Sequence, residues 1–247
     1  TGPAPPHEIG RLDVALAPSI AFGPPGGQRM RAGDGLVYAI DARGNFLLAD
    51  VSDPVSPVVV GSVESHAFDP SSTIPDRGLT VAGGHAYVGL GIAFGVVDVR
   101  RPDAPAVVGE RPAYRAEVLA LQAIDHYLYV AGSNPQIEIM DVTDATHPVS
   151  AGELTLVDPD LLDLQFVYDV TVAASASGSI SGTRAYAIGS RGSPDGTDGR
   201  MPSVLCVLDV SEAGSPQILG SYVLRHSGVE PSAGAVVAAD DHVFWAH

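Results

Sequence analysis

The 247 residues are 45% hydrophobic with a mean hydropathy of +0.19, which excludes disorder, and 28 Gly with 20 Pro in no triplet period exclude collagen and favour short elements joined by turns. Thirteen basic residues, every one Arg, against 29 acidic ones leave a net charge of −16, a field that repels nucleic-acid phosphates and acidic lipid surfaces. No window approaches 18 uninterrupted apolar residues, so no membrane-spanning helix is expected.

Along the chain, the opening Pro6-His7-Glu8-Ile9-Gly10 has the form Pro-x3-Gly and reads as an isolated outer strand over residues 6–14. Four fuller units follow, at about residues 27–63, 78–111, 117–154 and 167–224. Each starts with an apolar stretch such as Leu79-Thr80-Val81, Val118-Leu119-Ala120-Leu121 or Val170-Thr171-Val172. A turn comes next: Gly33-Asp34-Gly35, Gly83-Gly84, Asp125-His126 or Gly182-Thr183. An aromatic-centred run then carries Tyr38, Tyr87, Tyr129 or Tyr186, and a third apolar run ends in Asp-Val. After Asp50-Val51, Asp98-Val99, Asp141-Val142 and Asp209-Val210, a Pro stands at one fixed offset and a Gly four residues beyond it. The pattern D-V-x5-P-x3-G therefore recurs four times without a gap, which chance does not supply.

The Asp-to-Asp intervals are 48, 43 and 68 residues. Two of them match the roughly 40–50 residues of one four-stranded propeller blade. Surface-loop insertions are expected to inflate the third, around Thr155–Gln165, Ser175–Ser181 and Ser190–Arg200. With four short strands per unit and no helical periodicity, the fold class is all-β: a β-propeller of four-stranded antiparallel blades in one domain. A partial unit at 233–247 supplies a first and a second strand, around Val236 and Phe244. Four complete blades and two partial ones fit a five-bladed ring or part of a larger ring. The incomplete blade predicts that a further Asp-Val strand, from more of the same chain or from a neighbour, pairs beside Val243–Ala246.

Phe46-Leu47-Leu48-Ala49-Asp50-Val51-Ser52-Asp53-Pro54 and Val204-Leu205-Cys206-Val207-Leu208-Asp209-Val210-Ser211, each followed by Pro-x3-Gly, resemble the LVIVD repeat family. The resemblance implies a propeller of a kind commonly exported or held at the cell surface, and brings no catalytic residues with it. It departs from the family pattern at Arg100-Arg101 and Ala145-Thr146, both in turns.

The repeated Asp50, Asp98, Asp141 and Asp209 stand at strand ends before turns, where Asp accepts backbone N–H bonds, so a structural role is expected. Asp195 and Asp198, and the cluster Asp158, Asp160 and Asp163, read as flexible acidic loops; calcium is the one ion they would hold, and no cofactor is otherwise expected. His85 and His242 share one repeat position and His126 precedes it by one step, which spreads them around the ring rather than onto one zinc. The lone Cys206 lies in an apolar run and reads as a buried thiol. Connections between outer and inner strands are expected to carry His66, Glu117, Asp169 and His226 together with Arg77, Arg115 and Arg225, and the three arginines are expected to contact a ligand near the channel. The leading expectation is a non-enzymatic exported, periplasmic or cell-surface binding or scaffold module with a protein or peptide partner. One alternative is a hydrolase or oxidoreductase with a metal or cofactor in the central channel, its site built from His66, Asp76, Glu117, Asp169 and His226. The other is a structural subunit of a larger extracellular assembly.

Overall fold

The computed structural model describes residues 11–12, 30–41, 45–64, 78–112, 116–157, 164–175, 182–191, 203–224, 236–239 and 242–245. Every regular element in them is a strand. The first sheet holds β1 (Met30–Gly33), β2 (Leu36–Ile40), β3 (Phe46–Asp50) and β4 (Val58–Val63). The second holds β5 (Leu79–Ala82), β6 (His85–Leu90), β7 (Ala93–Asp98) and β8 (Ala106–Pro112). The third holds β9 (Val118–Ile124), β10 (Tyr127–Gly132), β11 (Asn134–Asp141) and β12 (Val149–Thr155). The fourth holds β13 (Leu164–Ser175), β14 (Gly182–Arg191), β15 (Ser203–Asp209) and β16 (Gln217–Leu224). The last pair is β17 (Val236–Ala239) with β18 (His242–Trp245). All pairings are antiparallel between neighbours in sequence. Two of the expected insertions are partly strand: β13 takes in Leu164 and Gln165, and β14 runs on through Ser190 and Arg191.

The cores lie between sheets rather than within one. Tyr38, Phe46 and Leu48 of the first sheet pack with Leu79, Ala86 and Val88 of the second. Tyr87, Phe94 and Val96, on the other face of that second sheet, pack with Leu121, Leu128 and Met140 of the third. Ala120, Tyr129 and Ile139 then meet Val170, Ala185 and Cys206 of the fourth. Tyr168, Ile188 and Leu205 meet Val236 and Val243 of the last pair. Central strands covered on both faces carry continuous apolar runs instead of alternation, hence Leu-Val-Tyr-Ala-Ile in β2 and His-Ala-Tyr-Val-Gly-Leu in β6. Cys206 is buried in this way.

The Asp-Val pair closes each blade from inside. The Val N–H donates to a carbonyl at the start of the second strand: Val51 to Gly35 at 2.8 Å, Val99 to Gly84 at 3.0 Å, Val142 to His126 at 2.8 Å and Val210 to Thr183 at 3.1 Å. The Asp carboxylate accepts the N–H two residues on, from Ser52, Arg100, Thr143 and Ser211, at 2.8 to 3.0 Å. These are Asx turns, the geometry that Asp favours at the start of a tight bend.

The Pro-x3-Gly run has its own cause. In every complete blade the third and fourth strands slip by one residue at the repeat glycine, so that Leu48 pairs Gly61 while Ala49 pairs Val59. Val96 with Gly109, Ile139 with Gly152 and Val207 with Gly220 repeat this bulge. A Cβ on Gly61 would lie 2.1 Å from the Pro102 carbonyl oxygen, and one on Gly152 would lie 1.9 Å from that of Ala213. The glycine is the place where the Asp-Val turn of the following blade rests against the bulge.

Candidate functional site

Inner strands β1, β5, β9, β13 and β17 open each sheet, and charged residues on them or just ahead of them are the natural candidates for channel chemistry. Asp169 is one, but it stands inside β13, opposite Ile188, rather than in a connection as its position in the sequence suggests. It is 5% exposed. One carboxylate oxygen accepts the Val170 N–H at 3.0 Å and the other accepts the Val236 N–H at 2.8 Å. Burial pushes its pKa up to about 6, against the opposing pull of those two N–H groups and of the Arg31 guanidinium on β1. Arg31 is itself lowered by burial. With both oxygens engaged by backbone, Asp169 ties the fourth sheet to β17.

Glu117 leads into β9 and its backbone is clamped. Its N–H donates to Ser133 Oγ at 3.0 Å, and its carbonyl accepts the Ser133 N–H at 2.9 Å. Gly132 fits beneath this clamp because a Cβ there would lie 2.4 Å from the Glu117 carbonyl oxygen. Beside it opens a small, shallow cleft lined by Glu117, Gly132, Asn134, Gln136, Glu138 and Glu153 among others. Glu138 is 8% exposed. Burial raises its pKa, while a hydrogen bond with Ser150 and the charge of Arg111 on β8 work in the opposite direction. The Arg111 guanidinium also donates to the Pro148 carbonyl at 2.8 Å, fixing the cation beside the third sheet. Asn134 and Gln136 are joined side chain to side chain at 3.1 Å.

The cleft is thus lined by three glutamates and two amide residues, drawn from β11, β12 and the lead into β9. That donor-accepting lining suits an ammonium or guanidinium group. Sequence reasoning reached Glu117 but not Glu138, Glu153 or Arg31. Glu138 did leave a signal: three residues before its repeat Asp it stands where the sister blades carry Leu47, Gly95 and Cys206.

His66, Asp76, Arg77, Arg115, Arg225 and His226 lie outside the described residues, as do Asp158, Asp160, Asp163, Asp195 and Asp198. The structure brings Asp169 near Arg31 and places Glu117 at the cleft. His85, His126 and His242 each sit at the turn into a different sheet, and His85 Nδ1 lies 3.1 Å from the Gly83 carbonyl. Among the described residues no three His, Cys, Asp or Glu side chains converge as a metal site. The repeat carboxylates are held below the usual range by their turns: Asp50 by the Ser52 backbone and hydroxyl, Asp141 by Thr143, Asp209 by Ser211, and Asp98 most strongly by Arg100.

Successive four-stranded antiparallel sheets, cored between their faces and linked in chain order, make this a β-propeller. The LVIVD repeat model matches residues 34–65 and 120–155, within the first and third of these sheets. Among solved structures it is similar to the computationally designed Ika8 protein, with a TM-score of 0.56 and 13% identity over 87% of this chain and 54% of that one. It is also similar to the WD40 domain of Neurospora crassa Pan2, with a TM-score of 0.53 and 14% identity over 84% and 53%. A hypothetical selenium-binding protein from Sulfolobus tokodaii gives a TM-score of 0.51 and 10% identity over 77% and 53%. At such identities the likeness is one of fold alone, and this chain spans about half the length of each. No curated protein sequence matches the chain.

Proposed function

We propose that this propeller is a non-enzymatic binding module whose cleft on the third sheet takes a cationic side chain of a protein or peptide partner. The observation that carries the reading is that Glu117, Glu138 and Glu153 line one cleft together with Asn134 and Gln136. Glu138 is held there partly against its preference, since burial disfavours its charged form; a bound cation relieves that cost. The net charge of −16 favours the same partner at longer range. A non-catalytic role is supported by Asp169, whose two oxygens are engaged by backbone N–H groups. The family resemblance supports export to the periplasm or cell surface.

The test is titration with an arginine-containing peptide and with its citrulline counterpart, using wild type and the Glu117→Gln/Glu153→Gln double variant. The arginine peptide binds wild type, and the double variant loses at least about tenfold in affinity, the factor set by 1.4 kcal/mol, with its melting temperature held. Equal affinity for both peptides, or for both proteins, contradicts the reading. Fractionation of producing cells tests the compartment, and protein confined to the cytosol contradicts export.

A further inference from the structure

The repeat lets one position be compared across four blades. Three residues before each repeat Asp, the third strand faces the residue just after the bulge glycine. Leu47 faces Ser62, Gly95 faces Glu110, Glu138 faces Glu153 and Cys206 faces Ser221. Of these four pairs only the third sets two carboxylates opposite each other, and like charges in direct cross-strand register repel. Closing a blade does not ask for them, since the sister blades close without them.

The two glutamates stand in different surroundings. Glu138 is 8% exposed, whereas Glu153 is open to solvent. Direct cross-strand partners share a face. Glu138 therefore has Val130 of β10 on one side and Glu153 of β12 on the other, and Leu121 of β9 completes the row. Neither β9 nor β10 puts a charge on it. Ser150 of β12 hydrogen-bonds Glu138, and Arg111 of β8 acts on it from the second blade. Arg111 also donates to the Pro148 carbonyl at 2.8 Å. One cation, shared with a carbonyl, thus serves two facing carboxylates, and Glu117 adds a third at the cleft. Burial, and after it the charge of Glu153, works against the ionised form of Glu138.

We infer that Glu138, facing Glu153, holds a proton in the free protein at mildly acidic pH and exchanges it for the partner's cationic group, resting here on the reading of the cleft as a cation site. When a guanidinium docks, its positive charge stands in for the proton. The Glu138 O–H bond breaks, the proton passes to solvent, and the net charge of the site is unchanged. Partner affinity then rises with pH and levels off where Glu138 is already ionised in the free protein.

The probe is the arginine-containing peptide, titrated by calorimetry between about pH 5 and pH 7.5, above the ordinary carboxylate range. Wild type should bind several-fold more tightly at the upper end, with a slope of at most about tenfold per pH unit, the limit for one proton. At the lower end, titrations in two buffers of different ionisation enthalpy should show net proton release on binding. Glu138→Gln should still bind, through Glu117 and Glu153, with an affinity that stays level across the window and with no proton released. Level affinity without proton release in wild type, or the same slope in both proteins, overturns the exchange and leaves the cation site standing. Absence of arginine-dependent binding at every pH overturns the cation site, and the exchange with it. The two-buffer comparison needs wild type alone, so it decides the matter even where Glu138→Gln does not fold.

Discussion

Gly152 and Gly220 hold the same place in two adjacent blades, and they are under opposite constraints. Both follow Pro by four residues and both sit at a bulge opposite the third strand. At Gly152 the neighbouring turn comes so close that a methyl group has no room; at Gly220 none of the described residues comes within 4 Å. The backbone of the fourth strand is therefore not what demands glycine. In the first three blades the turn of the next blade demands it.

Substitutions at the filled sockets should rank by how closely the turn approaches. Gly61→Ala, with 2.1 Å to the Pro102 oxygen, should lose more stability than Gly109→Ala, with 3.0 Å to that of Thr146. The first should cost up to about 3 kcal/mol, the upper part of the overpacking range, and the second about 1 kcal/mol. Chemical denaturation measures both, and a reversed order would break the turn-in-socket account.

The next effect concerns how β17 is held. Asp169→Ala strips the Val236 and Val170 N–H groups of their buried acceptor, and at pH 5 it should cost about 1–3 kcal/mol. Asp169→Asn keeps an acceptor but removes the titration. The folded-state pKa of about 6 lies above the ordinary value, so the folded protein binds the proton more readily than the unfolded one. The wild type's stability from this group is thus full at low pH and falls as pH rises from about 4 through about 6. Denaturation across that window should show a steeper decline for wild type than for Asp169→Asn; parallel curves would remove Asp169 from this role.

The smallest effect is expected at the rim. Asp141→Ala removes one exposed Asx turn and should lower the melting temperature slightly, leaving peptide binding at the cleft intact. Because the repeat carboxylates titrate below their ordinary value, their contribution is present above pH 4 and fades as pH falls further. Melting curves and peptide titrations check both points. Loss of binding without loss of stability would assign Asp141 to a site instead.

The blade itself was legible because its causes are local and repeated. Asp-Val carries an Asx turn and a backbone clasp, and both need fixed neighbours in sequence. The tyrosine position announced burial in the first three blades, and Tyr186 in the fourth is partly buried. The reason for the glycine was not legible, since its partner carbonyl belongs to the next blade: 41 residues on for Gly61 and 61 for Gly152. The same limit hid the nearness of Arg31 to Asp169 and the cleft shared by Glu117, Glu138 and Glu153. Asp169 was read as part of a connection because its strand begins earlier than the other inner strands, at Leu164. A buried carboxylate in an apolar strand becomes intelligible only when the backbone donor it serves, here Val236, is in view.

The central claim is that the Asp-Val turns of the second, third and fourth blades are each seated on the bulge glycine of the blade before. Its most direct test is a side-by-side melt of Gly152→Val and Gly220→Val. The account predicts a loss of about 3 kcal/mol or more for the first, as its side chain meets the Ala213 carbonyl, and a change within about 0.5 kcal/mol for the second. Equal losses at the two positions would show that the strand's own backbone requires glycine, and would contradict it.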